Sequence, residues 1–378
     1  MDKLSSFLRS FGHVRNIMKS QQSTGKPAAF STTGSSKSYY DAAAKEAELR
    51  QESSQWDTSN PKPALPGDIP TIDVSNWLET NAPEELQKLG KALKAACEEV
   101  GFHQLVGHGL PRSTTDGILN QTRRFHELPN KIKEKIKMDK PDFPLGGVGY
   151  LNYGNRKLPK RDTSNQNASF LVKADHTIDL HRDNQWLAEE ELPGFQEAVT
   201  NYSREMTALA KKLLPIYATA LGLEPDYFDP AFERPFFRLR MSHYPTQPQS
   251  TASPLFGISP HVDTSFFTLL LTDGSPGLCL FHHPRGEWIQ MPPLSEPNAL
   301  IVNSGELLRQ WSNDTFLSVR HFVKPPSSEG KDRYSVPFFF NANSDYKMEC
   351  LPTCQGPTNP PKYPPFSYNE SQGVVQGE

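Results

Sequence analysis

The sequence predicts an α+β protein, with a helical first half and a β-rich second half that closes into a jelly-roll or related barrel. Three observations predict it. Two stretches of the first half repeat apolar residues at helical spacing: Leu86, Leu89, Leu93, Cys97 and Val100, then Val199, Tyr202, Met206, Leu209, Leu213, Tyr217 and Leu221. From Phe236 onward the texture changes to short apolar or alternating runs parted by Pro, Gly, Asn and Asp: "FFRLRMSHY", "FFTLLL", "LCLFHH", "EWIQM", "ALIVNSG", "SVRHFV" and "SVPFFF". Finally, 378 residues with 36% apolar and 10% aromatic content can fill one sizeable core.

Residues 1–60 differ from the rest. Up to Tyr39 the only acid is Asp2, against Lys3, Arg9, Arg15, Lys19, Lys26 and Lys37, while Leu4, Phe7, Leu8, Phe11, Val14, Ile17 and Met18 recur at helical spacing. A basic amphipathic helix poor in acids has the make-up of an organelle transit peptide, and a disordered arm or surface helix has it equally. The expected location is therefore cytoplasmic, or mitochondrial or plastid if the segment targets. The folded part begins at "IPTIDVS" (69–75), a short strand signal after the Pro-rich "NPKPALPGDIP" linker. The first helix ends before Gly101 and the second near Gly222, both packing faces. The expected division is an arm (1–60), a helical part (61–235), a jelly-roll core (236–352) and a C-terminal tail (353–378).

A net charge of -3 leaves no basic footprint for nucleic acid, and no apolar run approaches the roughly 20 residues of a membrane span. A small molecule is the expected partner, and a monomer suffices to bind it. Four cysteines make no disulfide framework: Cys97 and Cys279 sit in apolar patterns, and Cys350 and Cys354 read as loop thiols, which fits a reducing compartment.

The chemistry is expected around "SPHVDTSFFTLLLTD" (259–273), which reads as one buried strand opening with His261 and Asp263. Positions two apart on a strand share a face, so an imidazole and a carboxylate converge there. His321 lies on a second β-like run, followed after a Pro/Ser/Gly loop by Arg333 and Ser335, again two apart. Two histidines and one carboxylate on one side of a metal bind Fe(II) and leave positions open. A guanidinium inside the same barrel needs an anion, and no nearby acid obviously supplies one. Other residues take structural readings: His103 and His108 as packed or hydrogen-bonded, His282 and His283 as pointing to opposite faces, Trp288 and Trp311 as core and rim aromatics.

With "EEVGFHQLVGHGLP" (98–111), "FHELPNKIKEKI" (125–136), "GY" at Gly149, "LPGF" (192–195), "SHYP" (242–245), "HVD", "ALIVNSGELLRQWSNDTFLSVRHFV" (299–323) and "RYSVPFF" (333–339), the chain resembles a family. These are the iron(II)/2-oxoglutarate-dependent dioxygenases of the isopenicillin N synthase-like group, which includes plant flavonoid and gibberellin oxygenases. The likeness runs from about Ile69 to Pro352. It implies a double-stranded β-helix, or jelly-roll, wrapped by helices. It also implies His261, Asp263 and His321 as iron ligands, with Arg333, Ser335 and Tyr244 on the distal carboxylate of 2-oxoglutarate. Ser242 stands where many members carry Asn, and Phe322 where Arg is common. The implied cofactors are Fe(II), 2-oxoglutarate and O2, with ascorbate as a stimulant. The implied reaction hydroxylates, desaturates or cyclises a small molecule of specialised metabolism and releases succinate and CO2. The basic run Arg156, Lys157, Lys160 and Arg161 reads as a solvated loop or as the contact for a carboxylate on the substrate. Two alternatives stay open: an oxidase of the same fold that does not use 2-oxoglutarate, and a silent ligand-binding member.

Overall fold

Thirteen strands and seven α-helices occur among the described residues, which in this computed structural model are 58, 60–138, 147–154, 165–174, 183–247 and 255–371. The arm expected over 1–60 falls almost wholly outside them, as do Arg156, Lys157, Lys160 and Arg161. No helix among the described residues is long and apolar enough to cross a membrane.

Both helical stripes form. After α1 (Ser75–Thr80), α2 (Pro83–Ala95) starts on Pro83, where a missing N–H is harmless, and buries Leu86, Leu89 and Leu93. The expected α-helix to Val100 ends instead in a π-helical turn, Ala96–Val100, closed by Gly101 at φ 72°. The wider turn keeps Cys97 and Val100 buried. Next come α3 (Arg112–Glu127), α4 (Asn130–Lys133) and α5 (Phe195–Ala220), which buries the whole second stripe from Val199 to Tyr217. The short α6 (Glu306–Trp311) lies among the later strands, and α7 (Tyr368–Ser371) follows them all.

The part expected to be helical also supplies five strands: β1 (Lys62–Pro63), β2 (Thr71–Asp73), β3 (Phe102–Val106), β4 (Gly149–Leu151) and β5 (Ala168–Lys173). They extend the sheets sideways; β2 is the short strand signalled by "IPTIDVS", whereas β1 and β4 are too short to carry a periodic signal of their own. The remaining strands are β6 (Phe236–Tyr244), β7 (Ile258–His261), β8 (Phe267–Thr272), β9 (Leu278–His282), β10 (Glu287–Gln290), β11 (Leu300–Ser304), β12 (His321–Val323) and β13 (Arg333–Asn341). They form a five-stranded sheet ordered β1-β10-β9-β12-β7 and an eight-stranded sheet ordered β2-β3-β11-β8-β13-β6-β5-β4.

Between the sheets lies one core, where Tyr244, Leu270 and Ile301 of the larger sheet meet Leu278, Leu280, Ile289 and Val323 of the smaller. The other face of the larger sheet packs on the helices, with Phe267, Leu269, Leu271 and Phe338 against Tyr202, Met206, Leu213 and Tyr217. Every residue of β8 is therefore buried, which is why its sequence is apolar without a break. Each large apolar side chain removed from water on either face contributes about 1.5–3 kcal/mol. Residues 353–371 dock on this second core through Cys354 and Tyr368. Asn313 Nδ2 donates to the carbonyls of Cys354 and Pro360, so the segment read as a tail is fastened over its described length.

One strand expectation is corrected. Residues 259–273 are not one strand but two, β7 in the smaller sheet and β8 in the larger, and the chain changes sheet across Val262–Phe266. Phe266 N–H donates to Phe340 O, which turns the backbone toward the larger sheet. Gly305 lets α6 close over this crossing, since a Cβ there would stand 1.9 Å from Ser265 O.

Candidate active site

His261 ends β7, and its register partner on β12 is His321. Two imidazoles far apart in sequence are thus set side by side, ring centroids 4.3 Å apart, by antiparallel pairing. Asp263 reaches the same point from the crossing rather than from the strand. Its Oδ1 lies 3.5 Å from His261 Nε2 and 3.6 Å from His321 Nε2, and one ligand atom from each residue falls within 4.8 Å of the others. Asp263 and His321 are buried, and His261 is half-buried.

Backbone carbonyls orient both rings. His261 Nδ1 donates to Ser259 O at 2.9 Å and His321 Nδ1 to Val319 O at 3.0 Å. A carbonyl only accepts, so in the neutral rings the lone pair sits on Nε2, facing Asp263. Asp263 Oδ2 accepts from Thr268 Oγ1 at 2.7 Å and Asn303 Nδ2 at 2.9 Å, which leaves Oδ1 turned toward the imidazoles. Phe102 packs edge-on against the His321 ring.

Burial opposes charge on all three groups. His321 and His261 nevertheless hold the Asp263 carboxyl well below the usual carboxylate range. The attraction of Asp263 outweighs burial at His321 and raises its pKa, whereas burial and the neighbouring His321 lower that of His261. With the Nε2 protons displaced by a metal, two imidazole nitrogens and one ionised oxygen converge as a donor set suited to a divalent cation such as Fe(II).

Arg333 and Ser335 open β13 on the inward face, opposite Tyr244 and Ser242 of β6. Arg333 is 1% exposed, its guanidinium lies 4.9 Å over the Tyr244 ring, and Nε makes a long 3.4 Å bond to Ser275 O. Nη1 is buried and has no hydrogen-bond partner among the described residues. A buried cation with an unmatched donor is a site for an anion brought from outside, and a planar fork fits a carboxylate. Gly257 allows the Tyr244 ring its position, because a Cβ there would stand 2.7 Å from Cδ1. Arg333 also borders a cavity of about 210 Å³, lined among others by Thr272, Gly277, Leu278, Met291 and Ile301.

The structure thus brings together His261, Asp263 and His321, and separately Arg333, Ser335 and Tyr244. Sequence reasoning missed Thr268 and Asn303. Thr268 sits visibly five residues beyond Asp263, but Asn303 was only a polar residue in an apolar strand, and its neighbour is known only from the β11-β8 register Asn303↔Thr268. The other residues read as structural take such places. His103 is buried in β3, His108 Nε2 donates to Asn298 O, His282 is buried with Nε2 donating to Asp68 O, and Trp288 and Trp311 are both buried. All four cysteines are free, with Cys354 buried and Cys350 half-buried.

Comparison with known proteins bears on this geometry. The family model described as the 2OG-Fe(II) oxygenase superfamily matches residues 235–342, and one described as non-haem dioxygenase in morphine synthesis N-terminal matches 69–189. The 2-oxoglutarate-Fe(II) type oxidoreductase hxnY of Emericella nidulans is 32% identical over 317 residues, spanning 80% of this chain and 87% of that protein. A full-length Neurospora crassa protein, solved in complex with alpha-KG, superposes with a TM-score of 0.71 at 25% identity over 80% of this chain and 94% of its own. JOX2, solved in complex with 2OG, Fe and JA, gives 0.67 at 28% identity over 80% and 83%.

Proposed function

Because this chain belongs to the 2OG-Fe(II) oxygenase superfamily and is an oxidoreductase of that class acting on small molecules, we propose the residues that run its chemistry. His261, Asp263 and His321 hold Fe(II). Arg333, with Ser335 beside it and Tyr244 beneath, grips the far carboxylate of 2-oxoglutarate. The observation that carries the reading is the convergence of two carbonyl-anchored imidazoles and one hydrogen-bonded carboxylate on a single point.

When bound, iron and 2-oxoglutarate would supply the oxidising chemistry: one atom of O2 would enter succinate as CO2 leaves, and the other would enter the substrate as a hydroxyl or leave as water with two substrate hydrogens. The chain's own residues orient and shield. Ser259 and Val319 keep both Nε2 lone pairs aimed inward. Thr268 and Asn303 stop Asp263 from swinging away. Tyr244, Leu280 and Val323 keep water from the inner side. Among the described residues three would hold the metal, and a set of three would leave room beside it for the cosubstrate. Ascorbate would stimulate turnover as a reductant that keeps the bound iron ferrous.

The test is metal analysis joined to an anaerobic 2-oxoglutarate titration. One Fe(II) per chain and a visible charge-transfer band that saturates with 2-oxoglutarate are expected. His321→Ala should lose both, and an unchanged band in that variant would remove the triad from the reading. Succinate release in a screen of small molecules then finds the substrate. A product that gains one oxygen atom marks hydroxylation, and one that loses two hydrogens marks desaturation or ring closure.

A further inference from the structure

The three residues of the triad are not held alike. His261 and His321 lie on paired strands, each opposite the other in the register, so the ladder of β7 and β12 sets their separation. Asp263 lies on the crossing between the sheets, outside any strand. What holds its backbone is α6: Gly305 N–H donates to Phe266 O, Glu306 N–H to Asp263 O at 2.8 Å, and Leu307 N–H to Ser265 O. A shift of α6 therefore carries the carboxylate with it, whatever Thr268 and Asn303 do at its oxygens. A helix of six residues does not hold itself in place, because so short a helix is marginal without tertiary support.

The support comes from residues 351–363. Beyond Trp311 the backbone turns through Asn313 at φ 53° and Asp314 at φ 67°, two successive non-glycine residues in the left-handed region. Residues with a Cβ seldom adopt it, and a pair persists only where the surroundings fix it. Asn313 Oδ1 accepts from Lys362 N–H at 2.9 Å, while Lys362 Nζ donates to Asn313 O at 3.2 Å and to Asp314 Oδ2 at 3.0 Å. Leu351 N–H donates to the carbonyl of Trp311, the last residue of α6. Tyr363 closes the contact. Its hydroxyl donates to Asp314 Oδ1 at 2.8 Å and accepts from Arg309 Nη1 at 2.7 Å, with the Arg309 guanidinium 5.4 Å over its ring. Arg309 Nη1 also donates to Asp314, and Nε donates to Glu306 Oε2 at 3.0 Å, one turn back, at the residue whose N–H holds Asp263. Tyr363, Arg309, Glu306 and Asp263 thus form one run of direct hydrogen bonds.

We propose that Tyr363, Arg309 and Asp314 are positioning residues for the metal: the strap 351–363 clamps α6, and α6 holds Asp263 where its Oδ1 meets the two imidazoles. This rests on the reading of His261, Asp263 and His321 as the iron site. All three positioning residues act through α6 and not on the iron itself. The consequence is a graded affinity and not the loss of a ligand, since a loosened α6 lets the carboxylate wander while both histidines stay on their ladder. Changes along such a run of packed contacts alter binding at its end by roughly 2- to 30-fold.

The experiment measures Fe(II) affinity of the full-length protein by competition with a chelator of known affinity, well below every melting temperature in the set. Tyr363→Ala and Asp314→Ala should each weaken iron by about 3- to 20-fold. Tyr363→Phe keeps the ring under Arg309 and loses only the hydroxyl, and should weaken iron about three-fold. Asp314→Gly should recover part of the Asp314→Ala loss, because glycine takes a positive φ without steric cost while the carboxylate is still missing. Val199→Ala trims the core under the helices, away from α6, and controls for a merely structural effect. It should lower the melting temperature and keep iron affinity within about two-fold of wild type. Tyr363→Phe decides the matter alone if the alanine variants do not fold by circular dichroism. Wild-type affinity in every folded variant of Tyr363 and Asp314, or a matching loss in Val199→Ala, overturns the proposal. A wild type that binds no iron, or His321→Ala binding it as tightly as wild type, sinks the iron-site reading instead, and that failure is separately visible.

Discussion

Two clusters of this protein are built from the same residue types and do opposite things. On the helix side of the larger sheet, His243 Nε2 donates to Asp332 Oδ2 at 2.7 Å, the ring stacked on Tyr334 at 4.9 Å and 15°. Between the sheets, His261 and His321 face Asp263 across 3.5 and 3.6 Å. The first contact is a closed hydrogen bond and has no space for a third body. In the second, carbonyls hold the imidazole protons on the far nitrogens, and Thr268 and Asn303 occupy the other carboxylate oxygen, so lone pairs face one another over a gap. A histidine and an aspartate become a metal-binding set when their hydrogen-bond partners point the lone pairs at a common centre.

That contrast can be broken from its strong side first. His261→Ala, Asp263→Ala and His321→Ala should each abolish turnover and bring iron content to background, while His243→Ala and Asp332→Ala leave iron and turnover near wild type. Metal analysis of the five proteins decides it, and iron loss in a His243 variant would erase the distinction. Next in size, Arg333→Ala should weaken 2-oxoglutarate by roughly 30-fold to several thousand-fold, as expected when about 2–5 kcal/mol of a buried charge contact is lost. Iron should stay bound, and Arg333→Lys should recover only part, because charge returns without the fork. Equilibrium dialysis with labelled cosubstrate reads this directly.

A third prediction probes why the inner cluster stays open. Thr268→Val and Asn303→Ala should each lower iron affinity by about 10- to 100-fold without removing a ligand, measured by competition with a chelator of known affinity. Wild-type affinity in both would mean that Asp263 is positioned by its backbone alone.

The fourth sharpens the outer cluster. Beside His243 lies His126, whose Nε2 donates to Met241 O and whose pKa is driven down to about 3, first by burial and then by the charge of His243. The unfolded chain protonates this histidine near 6.5 and the folded chain only near 3, so stability falls as pH drops between those values. The slope is about 1.4 kcal/mol per pH unit once the pH is well below 6.5. Urea unfolding at pH 7 and pH 5 should show His126→Gln losing less stability than wild type on that change. Equal losses would deny His126 its neutral burial. The smallest effect is expected of Asp332→Asn at neutral pH: the pair is partly exposed, and such pairs contribute at most about 1 kcal/mol, which the same unfolding curves measure.

Much of this was legible along the chain. The alternation of "FFRLRMSHY" marks β6 to its last residue, the two helical stripes mark α2 and α5, and "HVD", His321 and the Arg333–Ser335 pair mark the side chains that meet in the barrel. Less legible were the short strands β1 and β4, because two or three residues carry no period, and the π-helical turn at Ala96–Val100, because a widened turn preserves the apolar spacing of an α-helix. Reading 259–273 as one strand failed for a related reason. An apolar run continues across a change of sheet when both sheets bury it, so only backbone pairing reveals the crossing.

By itself the sequence determined which residues share a face, since periods of two and 3.6 follow from covalent geometry and chirality. It therefore determined that Arg333 sits with Ser335 and Arg238 with Arg240, and that a histidine and an aspartate lie close together ahead of a distant histidine. Only the tertiary structure decided which strands are neighbours. The pairing His321↔His261, the chain Thr268↔Phe339↔Arg238 and the reach of Asn303 to Asp263 all cross loops or whole helices. The physical reason is that strand pairing is set by which apolar faces can be buried together when two sheets close on one core, a condition on the whole chain that no local window contains.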